Sequence, residues 1–305
     1  MIRRIGIDIG GHTISAGELL SDGGSPLPAA LTTVCTPQER DMGSLLSAVR
    51  DLVLQRVPRG SRCFVGVGVP GFVNRERSVI LRLTNFRGCD GIPAALMISE
   101  DLRSHGVYAD VRMENDANCA ALGEHICGTA RGMKDFVVMT LGTGIGAGLV
   151  ANGRLITGAH GMAGECGHLA VCSEDLYHSC MCGGAGHLEE AASAGWLEKK
   201  ALENGLPADF RAIWEMRRQN DAAKAITEES LNAVARGISS ICVTLDPEAV
   251  ILSGGMSRAA GIAEELRARV MKYLPLPMRS VFKLLLSELG SSAAVAGAAA
   301  LDDSL

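Results

Sequence analysis

Three glycine-rich turns, each directly after an apolar segment with the character of a strand, constrain the fold of this chain most. They read IDIGGHT at residues 7–13, LGTGIGAG at 141–148 and LSGGM at 252–256. Glycine admits positive φ and lets backbone N–H groups approach a phosphate or a ring closely, because no side chain intervenes. A hairpin turn alone explains any one of these loops. Three together favour a binding site built at strand ends.

Apolar strands alternate with helical periods along the chain, which indicates an α/β protein whose sites lie at strand ends. The two strand-turn-strand units, one at Asp8 and one at Gly142, suggest two related halves. The expected helices cover residues 41–56 and 92–102 and a segment from residue 114, and the expected strands cover 5–9, 13–20, 63–69, 107–113, 136–150 as a pair, and 249–252.

Composition and charge exclude several functional classes. The chain has 305 residues, of which 47% are hydrophobic and 21% charged, which suffices for two packed domains. A net charge of −5 without a long run of Lys and Arg argues against nucleic-acid binding. The uncharged stretch 136–153 is long enough for a membrane span, but its glycines alternate at period two, which favours two strands. We therefore expect no membrane segment. Because Asp8 and the following glycines interrupt the first apolar run, we expect a cytoplasmic protein.

The common nucleotide-binding motifs are missing or weak. The sequence contains no Walker-type G-x-x-x-x-G-K-[ST] loop. Gly66, Gly68 and Gly71 match G-x-G-x-x-G, but Pro70 lies inside the motif and no good helix follows it. A dehydrogenase interpretation would rest on this match alone.

The segment CMCGGAGHLEE at residues 180–190 allows three interpretations: a metal site, a redox pair, or loop cysteines without a function. A catalytic redox pair normally reads C-x-x-C, and C-x-C spacing strains a disulfide, so redox chemistry is the weaker interpretation. Thiolates and imidazoles both suit zinc. Most of the other cysteines are expected to be reduced core thiols.

The polar segment ENDAN at residues 114–118 follows a predicted strand and opens a predicted helix. Asp116 in this segment has two interpretations. It caps the helix, which is the common role of Asp at such a position, or it acts as a general base at the strand end.

Together these motifs resemble the ROK family of sugar kinases. The resemblance rests on DIGG, GVGVPG, ENDANCAALGE, GTGIGAG, GMAGECGH, CMCGGAGHLEE and LSGG, which occur in family order over nearly the whole chain. It implies two ribonuclease-H-like, actin-like ATPase domains around a central cleft for ATP and a sugar. The implied boundaries are 1–116 plus 291–305 for the first domain and 117–290 for the second, with a zinc-binding insertion. Some family members are repressors with an N-terminal DNA-binding domain, but the first strand here begins near Arg4, which favours a kinase.

The resemblance also implies roles for individual residues. Asp116 would be the catalytic base, and Asp8 would lie near Mg²⁺ and the phosphates of ATP. Glu190 is expected to be a solvated surface carboxylate. The implied sugar-binding residues are Gly71, Asn85, Asn115, Glu165, His168 and Glu189. The implied nucleotide-binding residues are Asp8, Gly10, Gly11, His12, Thr13, Thr143, Gly144, Gly254 and Gly255.

The chain departs from the family pattern at two positions. His12 occupies the usual Thr position of the first turn, with Thr13 following, which puts a hydroxyl contact to the nucleotide in doubt. His187 replaces the last Cys of the zinc pattern. The implied ligands of a structural Zn²⁺ are thus His168, Cys180, Cys182 and His187, with Cys172 and His178 as rivals for the fourth position.

The sequence therefore predicts a glucokinase-like enzyme that phosphorylates the primary hydroxyl of a hexose with ATP. Allose kinase and N-acetylmannosamine kinase of the same family are alternatives, because the motifs do not define the shape of the sugar pocket. A sugar sensor without catalysis is a further alternative. The resemblance also implies a homodimer.

Overall fold

The structure is a computed structural model that describes residues 2–20, 27–83, 86–172, 180 and 182–302. Internal contacts divide the chain into two units. The first unit contains residues 1–132, 153–163 and 288–305, and the second contains residues 133–152 and 164–287. Each unit has its own hydrophobic core.

The strands and helices follow in chain order. The strands are β1 (Arg3–Ile9), β2 (Thr13–Leu20), β3 (Leu27–Cys35), β4 (Arg62–Val69), β5 (Gly71–Val73), β6 (Ile80–Leu83), β7 (Tyr108–Asn115), β8 (Phe136–Leu141), β9 (Ile145–Ala151), β10 (Arg154–Leu155), β11 (Ala249–Ser253) and β12 (Leu284–Leu286). The helices are α1 (Met42–Leu54), α2 (Ala94–Ser104), α3 (Asp116–Cys127), α4 (Glu189–Ala192), α5 (Ala194–Glu203), α6 (Phe210–Met216), α7 (Asp221–Leu245), α8 (Ile262–Tyr273), α9 (Leu276–Arg279) and α10 (Ser292–Ala299).

The first unit is built on a five-stranded sheet in the order β3-β2-β1-β4-β7. Strands β1, β2 and β3 are antiparallel, whereas β1, β4 and β7 run parallel. The register pairs Asp8 with Gly68 and Gly68 with Glu114, so the carboxyl ends of the three parallel strands meet at one edge. Gly6 and Gly66 face the backbone of α10, and a side chain at either position would collide with that helix.

The sheet of the second unit contains four neighbouring strands in the order β9-β8-β11-β12. Strand β8 is antiparallel to β9 and parallel to β11, which is parallel to β12. Because Ser253 pairs with Thr140, the turn after β8 and the two glycines after β11 lie at the same edge. This arrangement repeats that of the first unit.

The local predictions agree with the observed elements. The helix expected at 41–56 is α1, and Asp41 caps it by accepting the Ser44 N–H at 2.8 Å. The uncharged stretch 136–153 forms β8 and β9. No helix in the described part of the chain is long and apolar enough to cross a bilayer.

The division into units differs from the expected domain boundaries at helix α3. The expected boundary placed residues 117–132 in the second domain, whereas contacts place them in the first unit. The physical reason is that α3 packs closely on α10: Gly123 lies against the Ala293 backbone, and Gly297 lies against the Cys119 backbone. Residues 153–163 likewise belong to the first unit.

Candidate functional site

Two carboxylates, Asp8 and Asp116, lie at the strand edge of the first unit, and we call this pair the acidic edge. Asp8 is the next-to-last residue of β1, beside Gly68 of β4. A Cβ on Gly68 would lie only 3.3 Å from the Cys119 Sγ, which is a tight contact, so glycine at this position leaves room for the first turn of α3. Burial, together with the negative charge of Asp116, raises the pKa of Asp8 to about 7. A cation at this edge would therefore be stabilised by both carboxylates.

The junction between β7 and α3 fixes the position of Asp116. The helix cap is Asn115, whose Oδ1 accepts the N–H groups of Ala117 at 2.9 Å and Asn118 at 3.1 Å. Asp116 Oδ1 also accepts the Ala117 N–H, at 2.8 Å. The amide of Asn115 donates to the Gly71 carbonyl at 3.2 Å. Asn115 is thus the main cap of the helix. Asn115 and Gly71, which are both expected to bind sugar, contact each other.

The glycine turn after β1 is held by residues that the sequence motifs did not indicate. The Gly10 N–H closes the turn on the Thr13 carbonyl at 2.8 Å. Thr36 Oγ1 donates to the Gly10 carbonyl at 2.8 Å, and Arg40 Nη2 donates to the Gly11 carbonyl at 2.9 Å. His12 and Thr13 themselves are exposed at the tip of the turn. The side chains that occupy the altered motif positions are therefore accessible to a ligand.

The turn after β8 in the second unit is held from the start of α4 and α5. The Ala194 N–H donates to the Gly142 carbonyl at 2.8 Å, and the Ile145 N–H donates to Glu189 Oε2 at 2.8 Å. The Glu189 carboxylate lies where a side chain on Gly144 would project. Glu189, expected to bind the sugar, is therefore also in contact with the turn expected to bind phosphate.

Gly254, which follows β11, completes this edge of the second unit. It has a φ of +86° and lies against the Leu141 backbone. Only glycine suits this position well, because a side chain would disfavour this φ and would collide with that backbone. Thr143, Gly144, Gly254 and Gly255 thus lie on turns at one edge of the second sheet.

Four ligand-type side chains converge in the second unit, and we call them the His–Cys cluster. Their ligand atoms all lie within 4.8 Å of one another. A backbone bridge between Ala170 and His187, with the Leu188 N–H donating to the Leu169 carbonyl at 2.8 Å, brings the two histidines together. The members of the cluster are His168, Cys180, Cys182 and His187.

The spacing of the His–Cys cluster fits a tetrahedral zinc ion. The two Nδ1 atoms of His168 and His187 are 3.2 Å apart, and Cys182 Sγ lies 3.5 Å from His187 Nδ1. Cys180 Sγ lies 3.9 Å from His168 Nδ1. Ordinary zinc bond lengths give tetrahedral edges of about 3.3 Å between two nitrogens and about 3.6 Å between nitrogen and sulfur. The backbone N–H groups of Cys182 and Gly184 donate to the sulfurs of Cys180 and Cys182.

His168 connects the His–Cys cluster to a carboxylate expected to bind sugar. Its Nδ1 faces the cluster, while its Nε2 lies 3.9 Å from Glu165 Oε2. Burial lowers the pKa of His168, which favours the neutral ring that binds a metal. Of the rival ligands, Cys172 instead accepts from Arg236 at 3.9 Å. His178 and the predicted sugar ligand Asn85 lie outside the described residues.

Comparisons with known proteins agree on one family. The ROK family profile matches residues 4–304 of the chain. The glucokinase of Thermotoga maritima is 32% identical over 317 residues, covering 98% of this chain and 97% of that protein. The N-acetyl-D-glucosamine kinase of Salmonella paratyphi B is 30% identical over 309 residues, covering 97% of this chain and 98% of that protein.

Solved structures show the same fold. The ROK family glucokinase from Streptomyces griseus, in complex with glucose and AMPPNP, superposes with a TM-score of 0.80 at 28% identity, and 98% of each chain is covered. The predicted α/β fold with two ribonuclease-H-like sheets is thereby confirmed.

Proposed function

The chain belongs to the ROK family, and we propose that it transfers the γ-phosphoryl group of ATP to the primary hydroxyl of a hexose, with glucose as the first candidate. The observation that carries this proposal is the acidic edge, where Asp8 and Asp116 meet at the ends of parallel strands. The glucokinase relative and the N-acetylglucosamine kinase relative both support an ATP-dependent sugar kinase.

In the proposed reaction, Asp116 accepts the proton of the sugar hydroxyl as its oxygen attacks the γ-phosphorus. Asn115 and Gly71 hold the sugar beside it, and their mutual hydrogen bond of 3.2 Å fixes their spacing. Asp8 would hold Mg²⁺, which neutralises the charge of the phosphates when ATP is bound. The raised pKa of Asp8, about 7 in the free protein, supports this role, because a carboxylate that is costly to ionise alone gains from a cation.

The residues that we propose for nucleotide binding lie on turns that follow a strand in each unit. In the first unit these are Gly10, Gly11, His12 and Thr13, and in the second they are Thr143, Gly144, Gly254 and Gly255. Support comes from their position at the strand ends of the two sheets and from their glycine content.

The His–Cys cluster would hold a structural Zn²⁺, because its donor types and spacing fit a tetrahedral ion. With Nδ1 on the ion, His168 keeps Nε2 for a sugar hydroxyl near Glu165. Zinc would thus orient a sugar-binding side chain and take no part in phosphoryl transfer. A cytoplasmic homodimer is also proposed, from family likeness.

An N-acetylhexosamine is the second candidate substrate. Relatives that phosphorylate N-acetyl-D-glucosamine match the chain over the same length, with identities of 30–32%. Allose and N-acetylmannosamine are the alternatives that the sequence motifs indicate, and the comparisons add N-acetylglucosamine.

The test is ADP release in the presence of Mg-ATP and each of glucose, N-acetylglucosamine, N-acetylmannosamine and allose. The ratio of kcat/KM values identifies the substrate. Glucose is expected to give the highest value. Background release with every sugar, from folded protein that still binds one of them, would replace the kinase with a sugar sensor.

A further inference from the structure

A buried carboxylate directly precedes the catalytic junction. The Glu114 side chain is 7% exposed, and both of its oxygens have partners. Oε1 accepts the backbone N–H of Asn115 at 2.9 Å and the side-chain amide of Asn118 at 3.1 Å. Oε2 accepts from Arg77 Nε at 3.1 Å. Glu114 therefore contacts the backbone of Asn115 and the side chain of Asn118, one residue on each side of the proposed base and its neighbour.

Arg77 is itself fixed from several sides. It lies in the turn between β5 and β6, and its Nη1 donates to the Leu301 carbonyl beyond α10 at 3.1 Å. Its own carbonyl accepts the Met113 N–H of β7 at 2.9 Å. Its φ of +59° is unfavourable for a residue with a side chain, so these contacts must hold it there.

The Arg77–Glu114 pair and the proposed base belong to a group of three carboxylates and one guanidinium. Asp8, Glu114 and Asp116 come from β1, β7 and α3, and all three negative charges raise the pKa of the buried Cys119 thiol after the larger effect of burial. The positive charge of Arg77 acts at the same point in the opposite direction. Arg77 thus offsets part of the repulsion among the carboxylates that surround the proposed base.

We propose that the Arg77–Glu114 ion pair is a positioning device that sets the Asn115–Asp116 junction for phosphoryl transfer without touching either substrate. This inference rests on the proposed kinase function. Arg77 ties the hairpin that carries Gly71 to strand β7, which directly precedes the proposed base. The pair thereby keeps the sugar-holding backbone and Asp116 in register, and a displacement of about 1 Å at such a site lowers rates by about 100-fold.

The test compares Arg77→Met, Arg77→Lys and Glu114→Gln with Arg75→Met, an exposed arginine in the same turn. We expect Arg77→Met and Glu114→Gln to lower kcat by about 10- to 100-fold, with the KM for the sugar changed less than about threefold. Arg77→Lys should recover part of the loss, and Arg75→Met should behave as wild type. Equal kcat in Arg77→Met and Arg75→Met overturns the proposal.

Two further measurements separate positioning from folding. Removing one member of a buried ion pair leaves an uncompensated charge, so the double variant Arg77→Met/Glu114→Gln should be more stable than Arg77→Met. Its kcat should nevertheless stay low, whereas recovery of kcat together with stability would show a purely structural pair.

Hydrogen exchange at the Asn115 amide gives a readout that needs no activity. Exchange should accelerate in Arg77→Met and stay unchanged in Arg75→Met, and an unchanged rate in both contradicts the proposal. If wild-type protein phosphorylates no sugar, the kinase function fails, while the exchange rates still report whether Arg77 positions the junction.

Discussion

The acidic edge of the first unit and the His–Cys cluster of the second differ in what holds their side chains in place. At the acidic edge, strand register, a glycine beside α3 and main-chain hydrogen bonds to Asn115 and Asp116 set the geometry. In the His–Cys cluster, imidazole nitrogens and thiol sulfurs face one another at 3.2–3.9 Å. The fold preorganises the first site, whereas we propose that a bound ion stabilises the second. Loss of the proposed base should therefore affect chemistry alone, and loss of the ion should affect folding.

The largest expected effect is that of Asp116→Asn. Removal of a general base lowers kcat by about 10²- to 10⁴-fold. Asn keeps the Oδ1 acceptor for the Ala117 N–H, so the melting temperature should change little. Steady-state kinetics and thermal melts check this, with Asp110→Asn, an exposed residue of β7, as the control. A variant that retains more than about a tenth of wild-type kcat would argue for another base.

Loss of the ion from the His–Cys cluster should give the largest effect on stability. Since metal affinity contributes directly to folding, a strong chelator or Cys182→Ser should lower the melting temperature by on the order of 10 °C. Elemental analysis should find one zinc per chain in wild type and in Cys35→Ser, an exposed cysteine away from the cluster. Zinc-free protein with an unchanged melting temperature would remove the proposed difference between the two sites.

The acidic edge should also make stability depend on pH in the absence of Mg²⁺. Because the pKa of Asp8 is raised in the folded protein, from 3.8 to about 7, folding binds a proton between these values. The contribution of Asp8 is full below pH 4 and disappears as the pH rises through 7. Relative to Asp8→Asn, the wild-type melting temperature should therefore fall by a few degrees over this window.

Asp41 provides a control of opposite sign for the pH experiment. Its pKa is lowered, mainly by the hydrogen bond from the Ser44 backbone, so its contribution is present at neutral pH and is lost on acidification. Wild type should therefore melt at a higher temperature than Asp41→Asn at neutral pH, and this difference should disappear on acidification. Parallel pH profiles of wild type and Asp8→Asn would show that folding does not raise the pKa of Asp8.

The smallest expected effect is that of His12→Thr, which restores the usual residue of the first turn. A single hydrogen bond of ordinary strength corresponds to about a two- to tenfold change in affinity. We expect the KM for ATP to decrease by about two- to tenfold. The melting temperature should stay constant, because His12 is exposed. A KM for ATP that rises would indicate that the imidazole itself binds the nucleotide.

The sequence predicts features that depend on neighbouring residues. The strands, the glycine turns and the start of α3 follow from local periodicity, glycine content and capping, and the four members of the His–Cys cluster lie within a span of 20 residues. The Arg77–Glu114 pair joins residues 37 positions apart. Such contacts depend on tertiary packing, which has no local signature.

The hydrogen bonds that hold the two glycine turns and the division into units also have no local signature. Arg40 and Gly11 are 29 positions apart in the sequence, and Ile145 and Glu189 are 44 positions apart. Helix α3 belongs to the first unit because glycines let it approach α10, more than 160 positions later in the chain. Motif order along the sequence gives no information on which helix packs on which sheet.

Product analysis by mass spectrometry tests whether the chain is a hexose kinase with Asp116 as its base. The assay contains glucose and Mg-ATP, with zinc-loaded wild type or Asp116→Asn at equal concentration. We expect wild type to form a glucose monophosphate that carries the phosphoryl group on the primary hydroxyl, and the variant to form almost none. Equal amounts of product from both proteins, or hydrolysis of ATP without any sugar phosphate, would contradict it.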